Sequence, residues 1–157
     1  MKVRKVLIGI DNSTFAEHAA EYGFDIAKTY GAKVGLVHIV EPVIMPATTN
    51  ADMIGIPVMD VGMNDAELIK IQNEASETLI EKTIKKFAHG LDVTHFNEFG
   101  GKADGILSCA KEFNADLIVI GTHSRTGLDR LLMGSTAEHV VRHSPIPVLV
   151  VPFPKGE

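Results

Sequence analysis

The sequence predicts an α/β fold in which an open, five-stranded parallel sheet carries helices on both faces. Three observations lead there. Short β-branched runs alternate with segments of helical period from end to end, the order of a βαβ architecture. The strand-like runs, among them Val6-Leu7-Ile8 and Ile118-Val119-Ile120, are apolar without alternation, as expected of strands covered on both sides. Finally, Ile120-Gly121 closes one such run and opens a long loop to Gly134-Ser135, where a helical pattern starts. A strand-loop-helix junction of that kind presents backbone N–H groups and the positive end of a helix dipole to an anion.

The elements follow in order. Residues 3–10 read as a first strand, stopped by Asp11-Asn12-Ser13, residue types that favour turns and helix N-caps. From Thr14 to Tyr30 the apolar residues Phe15, Ala19, Tyr22, Phe24, Ile26 and Ala27 recur at helical spacing, and Gly31 is placed as a C-cap. Residues 33–40 form a second strand, ended by Glu41-Pro42. Residues 41–62 contain three prolines and two glycines, so they are not one regular element; their Ile and Met residues suit packing against the domain, a lid, or a partner surface. Residues 64–88 are the longest predicted helix, opened by an Asn64-x-x-Glu67 capping box, with an inner stripe of Leu68, Ile71, Ala75, Leu79, Ile80, Ile84 and Phe87. A third strand is predicted over 91–99, a third helix over 103–113 and a fourth strand over 116–120. A fourth helix over 135–143 and a fifth strand over 145–151 complete the alternation. No linker or internal repeat divides residues 1–157, which are expected to form one domain.

Composition narrows the function. Hydrophobic residues make up 45% of the 157, enough for a substantial core. A formal net charge of −5 argues against a nucleic-acid surface, which needs a basic face. No apolar run is long enough to cross a bilayer and no signal segment is recognisable, so the expectation is a cytoplasmic protein with no membrane role. The single cysteine, Cys109, shares a helical face with Ile106, Ala110 and Phe113 and is expected to be a buried thiol.

In open parallel sheets ligands bind beyond the carboxyl ends of the strands, where strand order reverses. With strands one and four as neighbours, Asp11 and the loop after Gly121 would face each other across such a crevice. The end of strand two at Ile39 and Val40 would form a wall beside them. An acidic side chain opposite an amide-rich loop suits the sugar and phosphates of a nucleotide.

Several stretches together resemble the universal stress protein family. Lys5-Val-Leu-Ile-Gly-Ile-Asp11-Asn-Ser13 is similar to its opening strand and acidic turn, and Val37-His-Ile-Val40 to the end of its second strand. Asp116 to Gly127, Leu132-Met-Gly134-Ser135 and Pro147 to Val151 are similar to its C-terminal half, including the loop pattern Gly-x2-Gly-x9-Gly-Ser/Thr. One position departs: Ser124 stands where the pattern has its second glycine. The resemblance implies the strand order 3-2-1-4-5 of a Rossmann-like, adenine nucleotide alpha hydrolase-like fold. It also implies ATP as the bound nucleotide, with Mg or Mn as the candidate companion of its phosphates.

Carried over by position, Asp11 and the backbone of Gly9 would meet the adenosine moiety, and Ile39 would contact adenine through its backbone. Ile120 and Gly121 would border the ribose; Ser124, Gly134, Ser135 and Thr136 would meet the phosphates. A homodimer through the C-terminal strand Val148–Val151 is implied as well, and an apolar edge strand gains from such pairing. The resulting expectation is an adenine-nucleotide-binding stress-response protein whose bound state alters its partner contacts. Arg125 and Arg130 suit either the phosphates or solvent. No lysine stands as in P-loop NTPases and no base is placed for an attacking water, so at most a weak ATPase activity is expected. His139 and His143, four apart, have a spacing that can share a metal, with His123 in the preceding loop, but read as solvated. The alternative is a family member that binds no nucleotide and acts as a dimeric interaction module, the direction in which Ser124 points.

Overall fold

The computed structural model describes residues 2–42, 65–122 and 133–152. Nine elements alternate along it: β1 (Lys5–Gly9), α1 (Thr14–Tyr30), β2 (Lys33–Val40), α2 (Asp65–Phe87), β3 (Val93–Phe99), α3 (Lys102–Phe113), β4 (Leu117–Gly121), α4 (Ser135–His143) and β5 (Val148–Val151). All pairings are parallel, in the order β3-β2-β1-β4-β5 that the resemblance implied. β1 is central because its Val6, Leu7 and Ile8 are fully buried, one side chain on each face in turn. On one face Val6, Ile8, Val34, Leu36 and Val119 pack beneath Ala19, Phe24 and Ala27 of α1 and Ile80 of α2. On the other, Leu7, Val37, Ile39, Ile118 and Ile120 meet Ile106, Cys109 and Phe113 of α3 and Ala137 and Val140 of α4.

The helix α1 approaches β1 closely because its sheet side is built from Ala16, Ala19, Ala20, Gly23 and Ala27. A Cβ on Gly23 would stand 2.6 Å from Ile8 Cδ1, so even alanine would force a shift there. Tyr22, one of the apolar residues recurring at helical spacing, is half exposed. The helix ends at Gly31, left-handed at φ 62°, as expected of a C-cap glycine. Asp116 ties β4 to the start of β1: its Oδ2 accepts the backbone N–H groups of Arg4 (2.8 Å) and Lys5 (3.0 Å).

Two expectations need correction. The buried side of α2 is not the stripe through Ile71 and Ala75, both of which are exposed; it runs through Ser76, Ile80 and Thr83, flanked by Leu79, Ile84 and Phe87. Hydroxyls are buried there because each has a partner, Thr83 Oγ1 donating to Leu79 O at 2.8 Å and Ser76 bonding to two strands. Likewise β5 begins at Val148 rather than at residue 145. Pro145 and Pro147 have no N–H to give a ladder, and Ser144 folds the chain locally, its Oγ accepting Ile146 N–H at 3.2 Å. Asn64 and residues 43–62 lie outside the described residues.

Candidate functional site

A cavity of about 420 Å³ opens at the carboxyl ends of β1, β2 and β4, the point where strand order reverses. That volume falls within the roughly 300–1,000 Å³ of small-molecule sites. Its floor and walls come from Gly9 and Ile10 after β1, Val37 and Ile39 of β2, and Ile120 and Gly121 of β4. Of the nine candidate residues, Gly9, Asp11, Ile39, Ile120, Gly121, Gly134, Ser135 and Thr136 all line it. Ser124, with His123, Arg125 and Arg130, lies outside the described residues.

Each lining residue has a local cause. Asp11 is half-buried and its Oδ1 accepts Ser13 N–H at 2.7 Å, while Ser13 Oγ caps α1 by accepting Ala16 N–H at 3.1 Å. This turn fixes the carboxylate and closes off the α1 N-terminus with the protein's own side chain. The helix α4 is different. Its N-cap is Gly134, which offers no side chain, and no side-chain hydrogen bond caps it. Its first-turn N–H groups, which have no intrahelical partner, therefore border the cavity at Ser135, Thr136 and Ala137.

The glycines have separable reasons. A Cβ on Gly121 would lie 2.6 Å from the carbonyl oxygen of Phe15. Glycine is thus needed for β4 to end against the first turn of α1, whatever the cavity holds. Gly9 is tight against Ile120 Cγ2, at 2.9 Å. By contrast Gly134 has φ −54° and ψ 151°, a conformation open to other residues.

The charged groups lining the cavity among the described residues are Asp11, Glu41 and Lys102. Neither Glu41, directly after β2, nor Lys102, the first residue of α3, was singled out from sequence as a site residue. Position explains both: Val37, Ile39 and Glu41 share one side of an extended chain, and Lys102 precedes Ile106 by about one helical turn.

A second polar group was also missed. On the other side of β2, His38 is aligned with Asn97 of β3, and Ser76 of α2 reaches both. Ser76 Oγ lies 2.6 Å from His38 Nδ1 and donates to Asn97 Oδ1 at 2.7 Å. Asn97 Nδ2 in turn donates to Asn73 Oδ1 and Glu77 Oε1. Burial, with the Lys102 charge adding to it, lowers the His38 pKa, and Asp11 pulls against them. The signal was available only through strand register, which brings two polar residues into one row.

Burial pushes the Cys109 thiol up to about 11, which keeps it in the protonated form of a packing residue. His139 Nε2 sits 3.2 Å from Asp104 Oδ1 and its ring stacks on His143. Among the described residues no three His, Cys, Asp or Glu side chains cluster as a metal site, and no helix is long and apolar enough to cross a membrane.

Comparison with known proteins gives a consistent outcome. The model of the Universal stress protein family matches residues 2–152. Universal stress protein MJ0531 of Methanocaldococcus jannaschii is 36% identical over 156 residues, covering 98% of this chain and 85% of its own length. Among solved structures, hypothetical protein MJ0577 superposes with a TM-score of 0.77 at 24% identity, covering 99% of this chain and 100% of that one. The universal stress protein from Archaeoglobus fulgidus in complex with dAMP superposes with a TM-score of 0.56 at 21% identity, covering 96% and 98%. At these identities the two structures speak for the fold.

Proposed function

Since the chain belongs to the universal stress protein family, we propose that it binds an adenine nucleotide in the cavity at the ends of β1, β2 and β4. One observation carries the reading: an acidic residue, an apolar wall and an uncapped helix N-terminus line a single cavity of about 420 Å³. Asp11 is the acceptor for the ribose hydroxyls, with the Gly9 backbone close to the adenosine. Val37, Ile39 and Ile106 take the base against an apolar surface, and the Ile39 backbone supplies its polar contacts. Ile120 and Gly121 border the sugar. The N–H groups at Gly134, Ser135 and Thr136 receive the phosphates, and the family resemblance assigns Ser124 to them as well. A relative of the same fold, from Archaeoglobus fulgidus, holds dAMP, which supports an adenine nucleotide as the ligand class. ATP is the proposed physiological form, with Mg or Mn beside its phosphates.

The proposed role is binding rather than turnover: the nucleotide state alters contacts with a partner during cytoplasmic stress response, with at most weak hydrolysis. The protein works as a homodimer through β5, whose Val148, Leu149 and Val150 are half-buried and which pairs on one side with β4. Mass spectrometry of ligand released on denaturation, with calorimetric titration of ATP and AMP, tests the binding. A stoichiometric adenine nucleotide is expected. No released ligand and no heat with either would overturn the reading in favour of a dimeric interaction module. A monomer by light scattering at micromolar concentration would overturn the dimer.

A further inference from the structure

Within that nucleotide reading, on which the inference rests, we propose that Lys102 makes the cavity select phosphorylated ligands over nucleosides, and that its ion-pair partner Glu41 tempers this selection as the competitor a phosphate must displace. Lys102 Nζ stands 3.4 Å from Glu41 Oε2, and both residues line the cavity. The pair joins two elements held in close contact. A Cβ on Gly105, in the first turn of α3, would lie 2.5 Å from Ile39 Cδ1, so a larger residue would force the Ile39 side chain or the helix to shift. Lys102 is thereby fixed beside the end of the strand. The same turn of α3 is tied to α4 by Asp104 and His139, 3.2 Å apart. Lys102 and the uncapped first turn of α4, at Ser135 and Thr136, thus line the same cavity.

Charge balance gives the pair its effect. Among the described residues lining the cavity, Asp11 and Glu41 are negative and Lys102 is the one cation. A dianionic phosphate entering that space meets two carboxylates, and the cation that would offset it is engaged by one of them. The engagement is weak: the side chains are 42% and 60% exposed, and an ion pair so placed contributes only about 0–1 kcal/mol. An ammonium is a compact charge well suited to phosphate, so the phosphate displaces Glu41 from Lys102. Neutral adenosine offers no such exchange and leaves the pair closed. Glu41 thus acts as the internal competitor for the anion and Lys102 as its receiver.

The test is calorimetric titration of adenosine, AMP and ATP into the full chain and into the variants Glu41→Gln and Lys102→Met, with thermal melts to show that each folds. Lys102→Met should weaken AMP by about tenfold and Glu41→Gln should strengthen it by about threefold, while adenosine stays within about twofold. Equal weakening of adenosine and AMP by Lys102→Met would overturn the proposal, since the pair would then hold the base or the wall. Unchanged AMP affinity in both variants would overturn it too, leaving nucleotide binding itself intact. Binding of none of the three ligands by the unaltered chain would overturn both readings together.

Discussion

Replacing Ser76 by alanine tests the least expected feature of the fold, the polar link between α2 and the two strands β2 and β3. The direction of each hydrogen bond follows from proton counting. Asn97 spends its amide N–H groups on Asn73 and Glu77, so its Oδ1 must accept, and the acceptance is from Ser76 Oγ at 2.7 Å. The single hydroxyl proton is then committed, and Ser76 accepts from His38 Nδ1–H at 2.6 Å. Alanine removes both bonds and strands a donor and an acceptor around a position only 1% exposed. A stranded buried group costs about 1–3 kcal/mol; because His38 and Asn97 are themselves half-buried, the low end applies to each. Against about 2–3 kcal/mol of loss stands about 0.5 kcal/mol gained from the better helix propensity of alanine. The net loss of about 2 kcal/mol should lower the melting temperature by about 4–8 °C. Ser108→Ala, on the exposed side of α3, should move it by no more than about 1–2 °C. A double-mutant cycle of Ser76→Ala with Asn97→Ala should show coupling of about 1 kcal/mol. Strict additivity, or a Ser76→Ala melt equal to that of Ser108→Ala, would refute the argument that this link holds α2 in register.

Three further outcomes are expected. His38 has its pKa lowered in the folded protein, chiefly by burial, so the folded state takes up its proton less readily than the unfolded chain. Its contribution to stability is present above the ordinary imidazole value of 6.5 and is lost as pH falls from there toward the lowered folded value; urea midpoints between pH 7.5 and 5 should fall less steeply for His38→Gln than for the unaltered chain. Gly134→Ser should melt no lower than the unaltered chain, because serine caps α4 with its own hydroxyl, yet AMP should bind about tenfold more weakly as the N–H groups are taken, with adenosine unaffected. Cys109, with its thiol pushed up to about 11, should resist iodoacetamide at pH 8 in the native protein and react once unfolded; modification of native protein at the unfolded rate would contradict its buried place.

Much of the fold was legible because β1, β2 and β4 are buried on both faces and so read as unbroken apolar runs, and because Gly31 ends a helix by its left-handed φ. What sequence period could not supply was which polar residues would be buried. In α2 the positions of Ile71 and Ala75 looked internal, but the helix is turned so that Ser76 and Thr83 face the sheet. A hydroxyl with a partner is as acceptable inside as a methyl group: Thr83 uses the carbonyl one turn back, Leu79 O, and the partners of Ser76, His38 and Asn97, are known only once register is set. The start of β5 was misplaced for a related reason: Pro145, Ile146 and Pro147 look strand-like by hydropathy, but the two prolines lack the N–H a ladder needs.

The candidate site was legible to a different degree, because turn residues carry two meanings. Gly121 was picked out as a residue beside a ligand, and it does line the cavity, but the carbonyl of Phe15 alone requires it to be glycine. Gly134 reverses the case: its backbone angles would accept a side chain, so backbone conformation does not account for the absence of one. A serine or aspartate there would cap α4 as Ser13 caps α1, and the chain that uses that device at Thr14 omits it at Ser135. Since Gly101 opens α3 with no side-chain cap either and does not line the cavity, it is the place of Gly134 at the cavity, more than its being glycine, that suits a ligand. Glu41 and Lys102 stayed hidden because a lone carboxylate after a strand and a lysine opening a helix are ordinary surface residues. The fold brings them together at one cavity, where α3 packs closely on Ile39 at Gly105 and the two side chains pair.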